Sequence, residues 1–272
     1  MIGASGFLGR RLTRQAQLAG HSVMATFHAS VPPTAGVDWC QLDIRRRDDV
    51  TALALRERPD AIINAAYWQS DWETTADGAA HVALAAAAAG ARLVHVSSCA
   101  VFSGNAPSYD ETRLPDPVTP YGAAKAAAET AVKGILPAAA IARTSLIIGD
   151  GDSPHERLVH ALASGAAAGV LFADEVRCPV DAADLASSLL ELAASPPAGI
   201  CHVAGPDAIS RYELGLLIAA RDGLDPAALP KGLRAGTGRP GALDIRLDCT
   251  KTQAWLTTRL RGAREFLAPT PA

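Results

Sequence analysis

Ser98 closes an apolar stretch, Arg92-Leu-Val-His-Val-Ser-Ser98, and 23 residues later Tyr121-Gly-Ala-Ala-Lys125 opens a segment of helical character. A hydroxyl, a phenol and an ammonium are the smallest set of side chains that can polarise a carbonyl and hand it a proton during hydride transfer. A phenol ordinarily ionises near ~10, so a tyrosine exchanging protons near neutrality needs a cation beside it. Residues four apart share one helical face, which lets Lys125 serve Tyr121. Thr119 reads as the N-cap of that helix and Pro120 as its first residue. A surface helix also pairs such residues often, and the context decides: residues 92–98 read as a buried strand, and sites in open α/β sheets lie at the carboxyl ends of strands. Ser97 and Ser98 have a plainer reading as strand-end hydroxyls that cap loose backbone groups, and one of them is expected to do so.

A second constellation precedes this one. Gly3-Ala-Ser-Gly6-Phe-Leu-Gly9 stands at the start of the first helix, where glycines admit a pyrophosphate to the backbone and the helix N-terminus offers amide donors. By itself the pattern is a tight turn before a helix. Followed by strands and by the Ser98, Tyr121 and Lys125 set, it predicts a bound dinucleotide. The expected contacts are Gly3, Ser5, Gly6, Phe7, Leu8 and Gly9, then Thr26 and His28, Asp43 and Ile44, Ala65 and Ala66, and finally Tyr121 and Lys125. Thr26, Phe27 and His28 occupy the place where an acid would hold the ribose of NAD(H). With no carboxylate there and Arg10 and Arg11 nearby, NADP(H) is favoured and NAD(H) stays open. The arginines read equally well as a solvated helix face. Asp43 reads either as an acceptor for the adenine amino group or as the N-cap of a helix over Arg45 to Arg56.

The elements that must position these residues alternate over the first 150 residues. Helices are expected at Gly6–Leu18, Asp48–Arg56, Ala79–Ala91 and from Tyr121, and strands at His21–Thr26, Ala61–Asn64, up to Ser98, and Ala140–Ile148. This rhythm predicts an α/β fold with a doubly wound parallel Rossmann sheet over 1–149. A smaller mixed lobe for substrate is expected over 150–272, with some of its segments returning to the first domain, and a cleft between the two would hold the ligand.

The chain has 272 residues, 25 Lys and Arg against 28 Asp and Glu, and a net charge of −3. Such a balance provides no basic field for nucleic acid or an anionic membrane, so a small-molecule substrate is the expected partner. Five scattered cysteines without a Cys-x-x-Cys pair argue against a disulfide framework or a zinc cluster and fit a reducing cytoplasm. No acid cluster suggests a metal. The apolar run Ala79–Ala91 is shorter than the ~20 residues that span a bilayer.

The matching stretches Gly3-Ala-Ser-Gly-Phe-Leu-Gly9, Asn64-Ala-Ala66, Leu93-Val-His-Val-Ser-Ser98, Val101-Phe-Ser-Gly104, Asp110-Glu-Thr112, Tyr121-Gly-Ala-Ala-Lys125 with Glu129, Arg143-Thr-Ser145 and Arg239-Pro-Gly241 run from end to end. In these the chain resembles the extended short-chain dehydrogenase/reductases, and most of all their dTDP-4-dehydrorhamnose reductase branch. The resemblance implies that Ser98 bonds the substrate carbonyl, that Tyr121 is the general acid, and that Lys125 binds the nicotinamide ribose and lowers the pKa of Tyr121. It makes a nucleotide sugar the implied substrate, with Ser98, Cys99, Arg143 and Arg239 as its contacts; the arginines read alternatively as ion-pair residues. A homodimer is compatible with it.

Four departures from the family pattern stand out. Only Met1-Ile2 precedes the glycine loop, where the family has its first strand, and this predicts a natural start several residues upstream. Thr75 stands where the family carries an asparagine that supports a relay water. Cys99 and Leu146 replace an acid and a large aromatic that face the sugar. Tyr67-Trp-Gln-Ser-Asp71-Trp72 follows Asn64-Ala-Ala66 with one residue fewer. The leading expectation is an NADP(H)-dependent reductase of a keto group on a nucleotide-activated sugar or similar small carbonyl compound. An epimerase or dehydratase of the same superfamily is the alternative within enzymes, although Cys99-Ala100 lacks the Asp-Glu pair that dehydration needs. A catalytically silent nucleotide-binding subunit is the alternative outside them.

Overall fold

The computed structural model describes residues 1–30, 36–194 and 197–269, so residues 195–196 and 270–272 of the expected second lobe lie outside the described set. In chain order the elements are α1 (Phe7–Leu18), β1 (Met24–Phe27), β2 (Asp38–Gln41), α2 (Arg47–Glu57), β3 (Ala61–Asn64), α3 (Gly78–Ala89), β4 (Arg92–Ser98), α4 (Pro120–Ile135), β5 (Ala140–Thr144), β6 (Ile147–Ile148), α5 (Pro154–Ala163), β7 (Leu171–Phe172), β8 (Val176–Arg177), β9 (Val180–Asp181), α6 (Ala182–Ala194), β10 (Gly199–His202), β11 (Ile209–Ser210), α7 (Arg211–Asp222), β12 (Lys231–Gly232), α8 (Thr250–Gln253) and α9 (Ala263–Phe266). A short π-helical turn, Glu73–Asp77, leads into α3.

Strands β10, β5, β4 and β3 pair in that order and in parallel. The parallel pair β1 and β2 is joined to them through the first two residues. Thr26 N donates to Met1 O at 2.9 Å, Ile2 N to Ile63 O at 2.9 Å and Ala65 N to Ile2 O at 3.0 Å. Met1 and Ile2 thus bridge β1 and β3 in one continuous sheet.

Alternation along the strands sends successive side chains to opposite faces. On one face Ile62, Leu93 and Ile141 pack with Val50 and Leu53 of α2, Val82 of the alanine helix α3 and Val132 of α4. On the other Ile63, Val94 and Ala142 meet Leu8 and Leu12 of α1 and Leu185, Leu189 and Leu192 of α6. The sheet is therefore covered on both sides, as its apolar strands require. A separate core of Val159, Leu162, Leu171, Leu214 and Ile218 holds α5, α7 and the short strands of the C-terminal part. Among the described residues no helix is long and apolar enough to cross a membrane.

Two expected boundaries move for identifiable reasons. The strand expected over Ala140–Ile148 ends at Thr144, which pairs with the last residue of β4, Ser98. Beyond it Val180 N donates to Leu146 O and β6 pairs with β9, so the chain leaves the main sheet. The strand expected from His21 begins only at Met24, because His21 N is taken by Ala16 O at the end of α1.

One polar junction crosses this core. Glu129 of α4 receives Ser97 Oγ of β4 at 2.5 Å, Arg143 Nε of β5 at 2.9 Å and Arg143 Nη2 at 2.7 Å, while Arg143 Nη1 donates to Arg113 O at 3.2 Å. Both members of the ion pair are buried, and the guanidinium lies 4.9 Å from the centre of the Phe102 ring. Removing one partner of such a pair leaves an uncompensated buried charge. Arg143→Met is expected to lower the unfolding free energy by about 3–5 kcal/mol, and adding Glu129→Leu to restore most of it, as urea denaturation of the three proteins would measure.

Candidate active site

The carboxyl ends of β1, β3, β4 and β5 converge on the glycine loop. Gly3 has a φ of +75°, and a Cβ on it would lie 2.7 Å from Ala66 N. A Cβ on Gly9 would lie 2.2 Å from Gly3 O. The loop therefore folds against its own helix and the Ala65–Ala66 strand end with no room for side chains. Gly6 caps α1 without a side chain, and the first-turn amides that follow have no intrahelical partner. Such amides at a helix N-terminus suit a pyrophosphate.

Two cavities open on either side of this loop. The first, of about 510 Å³, is lined by Gly3, Ser5, Gly6, Thr26, His28, Asp43, Ile44, Ala65 and Ala66. The second, of about 850 Å³, is lined by Phe7, Leu8, Gly9, Ser98, Cys99, Tyr121 and Lys125 and shares Gly3, Gly6, Ala65 and Tyr67 with the first. Each expected cofactor contact thus lines one cavity or both. Asp43 does not cap α2, whose N-cap is Arg46. Its carboxylate pairs instead with Arg45 Nη2 at 2.7 Å, which holds its pKa down at about 2.

The reactive set is assembled by close packing of α4 on the end of β4. Thr119 Oγ1 caps α4 by accepting from Gly122 N at 3.1 Å. A Cβ on Gly122 would fall 2.1 Å from Ala100 O, so only glycine lets the helix lie this near the Ser98–Ala100 turn. Ser98 Oγ accepts from Ala100 N at 3.1 Å, and Ser98 lines the same cavity as Tyr121. Burial holds the Tyr121 phenol above its ordinary pKa, with Ser98 working against the shift. Burial is the largest influence on that phenol, which carries its proton at neutral pH. Lys125 Nζ donates to Val96 O at 2.9 Å, and burial lowers its pKa to about 8. Cys99 Sγ faces Ser145 Oγ at 3.7 Å in the cavity wall, beside Leu146.

The far end of the larger cavity carries charges that the motifs did not reveal. Arg177 of β8, Arg211 at the start of α7 and Arg234 line it together with Glu175 and His155. Arg211 Nη1 lies 3.2 Å from His155 Nδ1, and burial together with Arg211 lowers the His155 pKa to about 3. The imidazole is therefore neutral and accepts from Arg211. Arg234 Nη1 pairs with Glu175 at 3.1 Å, leaving an excess of positive charge.

Four expectations are revised by these positions. Arg143 is sealed in the core with Glu129 and does not line the cavity. Arg239 sits exposed on the adjoining loop, where Pro240, Gly241 and Arg234 form the wall instead. Arg10 and Arg11 turn toward Asp152 and Asp150 and do not line the smaller cavity, which has Arg45 in their place. Thr75 is buried, accepts from Trp68 N at 3.1 Å and donates to Trp68 O at 2.7 Å, so its hydroxyl fastens the 67–72 loop and has no hydrogen left for a relay water. Among the described residues no cluster of three or more His, Cys, Asp or Glu could hold a metal ion.

Parallel strands with helices on both faces, a glycine loop at the first helix and a Ser/Tyr/Lys set at the strand ends define an extended short-chain dehydrogenase/reductase. The chain belongs within that class to the RmlD substrate binding domain family, whose model matches residues 1–268. It is 32% identical over 258 residues to a probable low-salt glycan biosynthesis reductase of Haloferax volcanii, covering 89% of this chain and 86% of that one. It is 31% identical over 243 residues to the dTDP-4-dehydrorhamnose reductase of Mycobacterium tuberculosis, covering 83% and 76%. The crystal structure of a hypothetical dTDP-4-dehydrorhamnose reductase from Sulfolobus tokodaii superposes with a TM-score of 0.82 at 28% identity, over 96% of this chain and 95% of that one.

The tight loop generates a direct test. Gly9→Ala forces the loop away from Gly3 O, and the dissociation constant for NADPH, followed by its fluorescence, is expected to rise at least about tenfold.

Proposed function

We propose that this protein is an NADP(H)-dependent reductase of the keto group of a sugar nucleotide. The observation that carries the reading is the single cavity of about 850 Å³ that runs from Ser98, Tyr121 and Lys125 to Arg177, Arg211 and Arg234. One end offers a hydroxyl and a protonated phenol to a carbonyl. The other offers forked cationic donors, which match the geometry of a diphosphate. Relatives named as dTDP-4-dehydrorhamnose reductases and a dTDP-4-keto-6-deoxy-D-glucose reductase support the same substrate class.

The glycine loop and Ala65–Ala66 would hold the dinucleotide, with Tyr121 and Lys125 at its nicotinamide end. NADP(H) is favoured and NAD(H) is the weaker alternative, since Thr26, Phe27 and His28 bring no carboxylate to the ribose and Asp43 is already neutralised by Arg45. When bound, the nicotinamide supplies the hydride. Ser98 Oγ donates to the substrate carbonyl and orients it. The Tyr121 phenol, protonated at neutral pH, gives its proton to the oxygen as negative charge develops there. Lys125, fixed by Val96 O, places a positive charge beside that phenol in a site of low dielectric, where it stabilises the phenolate formed. Residues 150–272 supply the diphosphate contacts through Arg211 and Arg234, with Arg211 held in place by neutral His155 and Arg177 bonded to the carbonyls of Val176, Ala242 and Leu243 in the wall behind. Cys99-Ala100 offers no carboxyl group for dehydration, which favours reduction over that chemistry.

With NADPH and a 4-keto sugar nucleotide, the absorbance of the reduced cofactor should fall steadily. Tyr121→Phe should cut kcat by about 10²–10⁴-fold with NADPH binding intact. Arg211→Gln should raise KM for the sugar nucleotide about tenfold or more without moving the NADPH dissociation constant, because truncating a charge-assisted contact removes roughly one such increment. NADPH binding without turnover across a panel of keto sugar nucleotides would sink the reading.

A further inference from the structure

We propose that Tyr67 is a positioning residue of this site, its ring face holding the Lys125 ammonium in place beside Tyr121. The Lys125 ammonium lies 5.0 Å from the centre of the Tyr67 ring, and the Tyr67 and Tyr121 rings are 5.8 Å apart and tilted by 48°. Tyr67 therefore touches both members of the pair that the helical spacing brings together. It also lines both cavities.

The backbone on either side of this residue is fastened. Ala66 N donates to Asn64 Oδ1 at 3.1 Å, and Asn64 Nδ2 is 3.3 Å from His95 Nδ1 in the core. On the other side the buried hydroxyl of Thr75 takes both the N–H and the carbonyl of Trp68. The ring is thus held at a set height over Lys125, although half of the residue is open to the cavities. A loosely packed surface tyrosine would not need two such clamps.

The charge balance around Lys125 gives the ring its consequence. Glu129 on the same helix is a carboxylate that favours the ammonium, and it is already bonded to Arg143 and Ser97. His95 on β4 is buried and held neutral, and Tyr121 keeps its proton through burial. Val96 O accepts one hydrogen of the ammonium. Burial lowers the Lys125 pKa to about 8, so the fraction that is charged at neutral pH is sensitive to any further loss of stabilisation. A cation over an aromatic face favours the protonated form, and losing a desolvated contact of this kind corresponds to a shift of about one pKa unit, or tenfold in the ratio of the two forms. The direction follows: with folded pKa already below the ordinary lysine value, removing the ring moves it down again.

The chain has only four lysines, Lys125, Lys133, Lys231 and Lys251, and the other three are exposed. In protein labelled with ¹³C at the lysine ε-carbon, one resonance should titrate near pH 8 and vanish in Lys125→Met. Tyr67→Leu keeps apolar cover and removes the π face; it is expected to lower that titration by about one unit. Tyr67→Phe keeps the face and should return it to within a few tenths. If Tyr67→Leu titrates as the native protein does, or if Tyr67→Phe shifts as far as Tyr67→Leu, the proposal is overturned. The kinetic counterpart rests on the reductase reading: the alkaline limb of kcat should move down with Tyr67→Leu and not with Tyr67→Phe, while KM for the sugar nucleotide stays within about twofold. A protein that turns over no keto sugar nucleotide defeats that reading, and the lysine titration still decides the role of Tyr67.

Discussion

The buried bond between Glu129 and Arg143 is the interaction on which the rest of the site depends. It joins α4 to β5, and through Ser97 it joins both to β4. Ser97 adjoins Ser98 in the strand, and Glu129 lies one helical turn beyond Lys125 and two beyond Tyr121. The ion pair therefore fixes the register between the helix that carries two reactive groups and the strand that carries the third. Hydrophobic packing of α4 through Val132 and Ala128 could be satisfied at several small displacements. A bidentate guanidinium–carboxylate contact has one geometry. The absent Cβ of Gly122 then lets the helix descend onto the Ser98–Ala100 turn, and Ser98 and Tyr121 come to line one cavity.

Desolvation does different work on each ionisable group that this geometry buries. It raises the Tyr121 phenol, which makes the phenol a weaker acid, and lowers Lys125 toward neutrality, which weakens the cation that offsets this. The same effect keeps His155 neutral and so makes it an acceptor for Arg211. A site built to withdraw a carbonyl from water must therefore keep the lysine charged, since that charge also favours the phenolate. Val96 O, Glu129 and the face of Tyr67 are the available means, each reaching the ammonium from a different direction.

Much of this was legible in the sequence because it is local. Thr119, Pro120, Tyr121 and Lys125 lie within a single cap and two helical turns, and the glycine loop lies within one. The α/β alternation and the strand ends at Asn64 and Ser98 followed from short continuous apolar runs, as strands buried on both faces require. Arg143 was misplaced because a forked donor that binds a phosphate and one that binds a buried carboxylate read alike; only its strand position opposite Glu129 separates them. Arg177, Arg211 and Arg234 carried no signal, since they sit on a two-residue strand, a helix start and a loop that only tertiary folding brings to one wall. Thr75 had the right location and the wrong task. Its hydroxyl faces inward on a π-helical turn, a shift of phase that a 3.6-residue pattern does not disclose.

The division between the residues that assemble the proton donor and those of the pocket wall follows the same physics. Ser97, Glu129 and Arg143 lie within regular elements, where an altered side chain would leave a buried charge unpaired. Cys99 and Leu146 lie just past the ends of β4 and β5, where the sheet no longer requires a given side chain. Leu146 is anchored through its backbone, by the bond from Val180 N to its carbonyl, so the pocket wall keeps its path whatever the side chain. The positions that would meet a sugar are thus decoupled from those that assemble the proton donor. A pocket built in this way can carry a thiol at Cys99 and an aliphatic chain at Leu146 while the hydride chemistry stays in register, because the two sets of residues share strands but not the interactions that hold them.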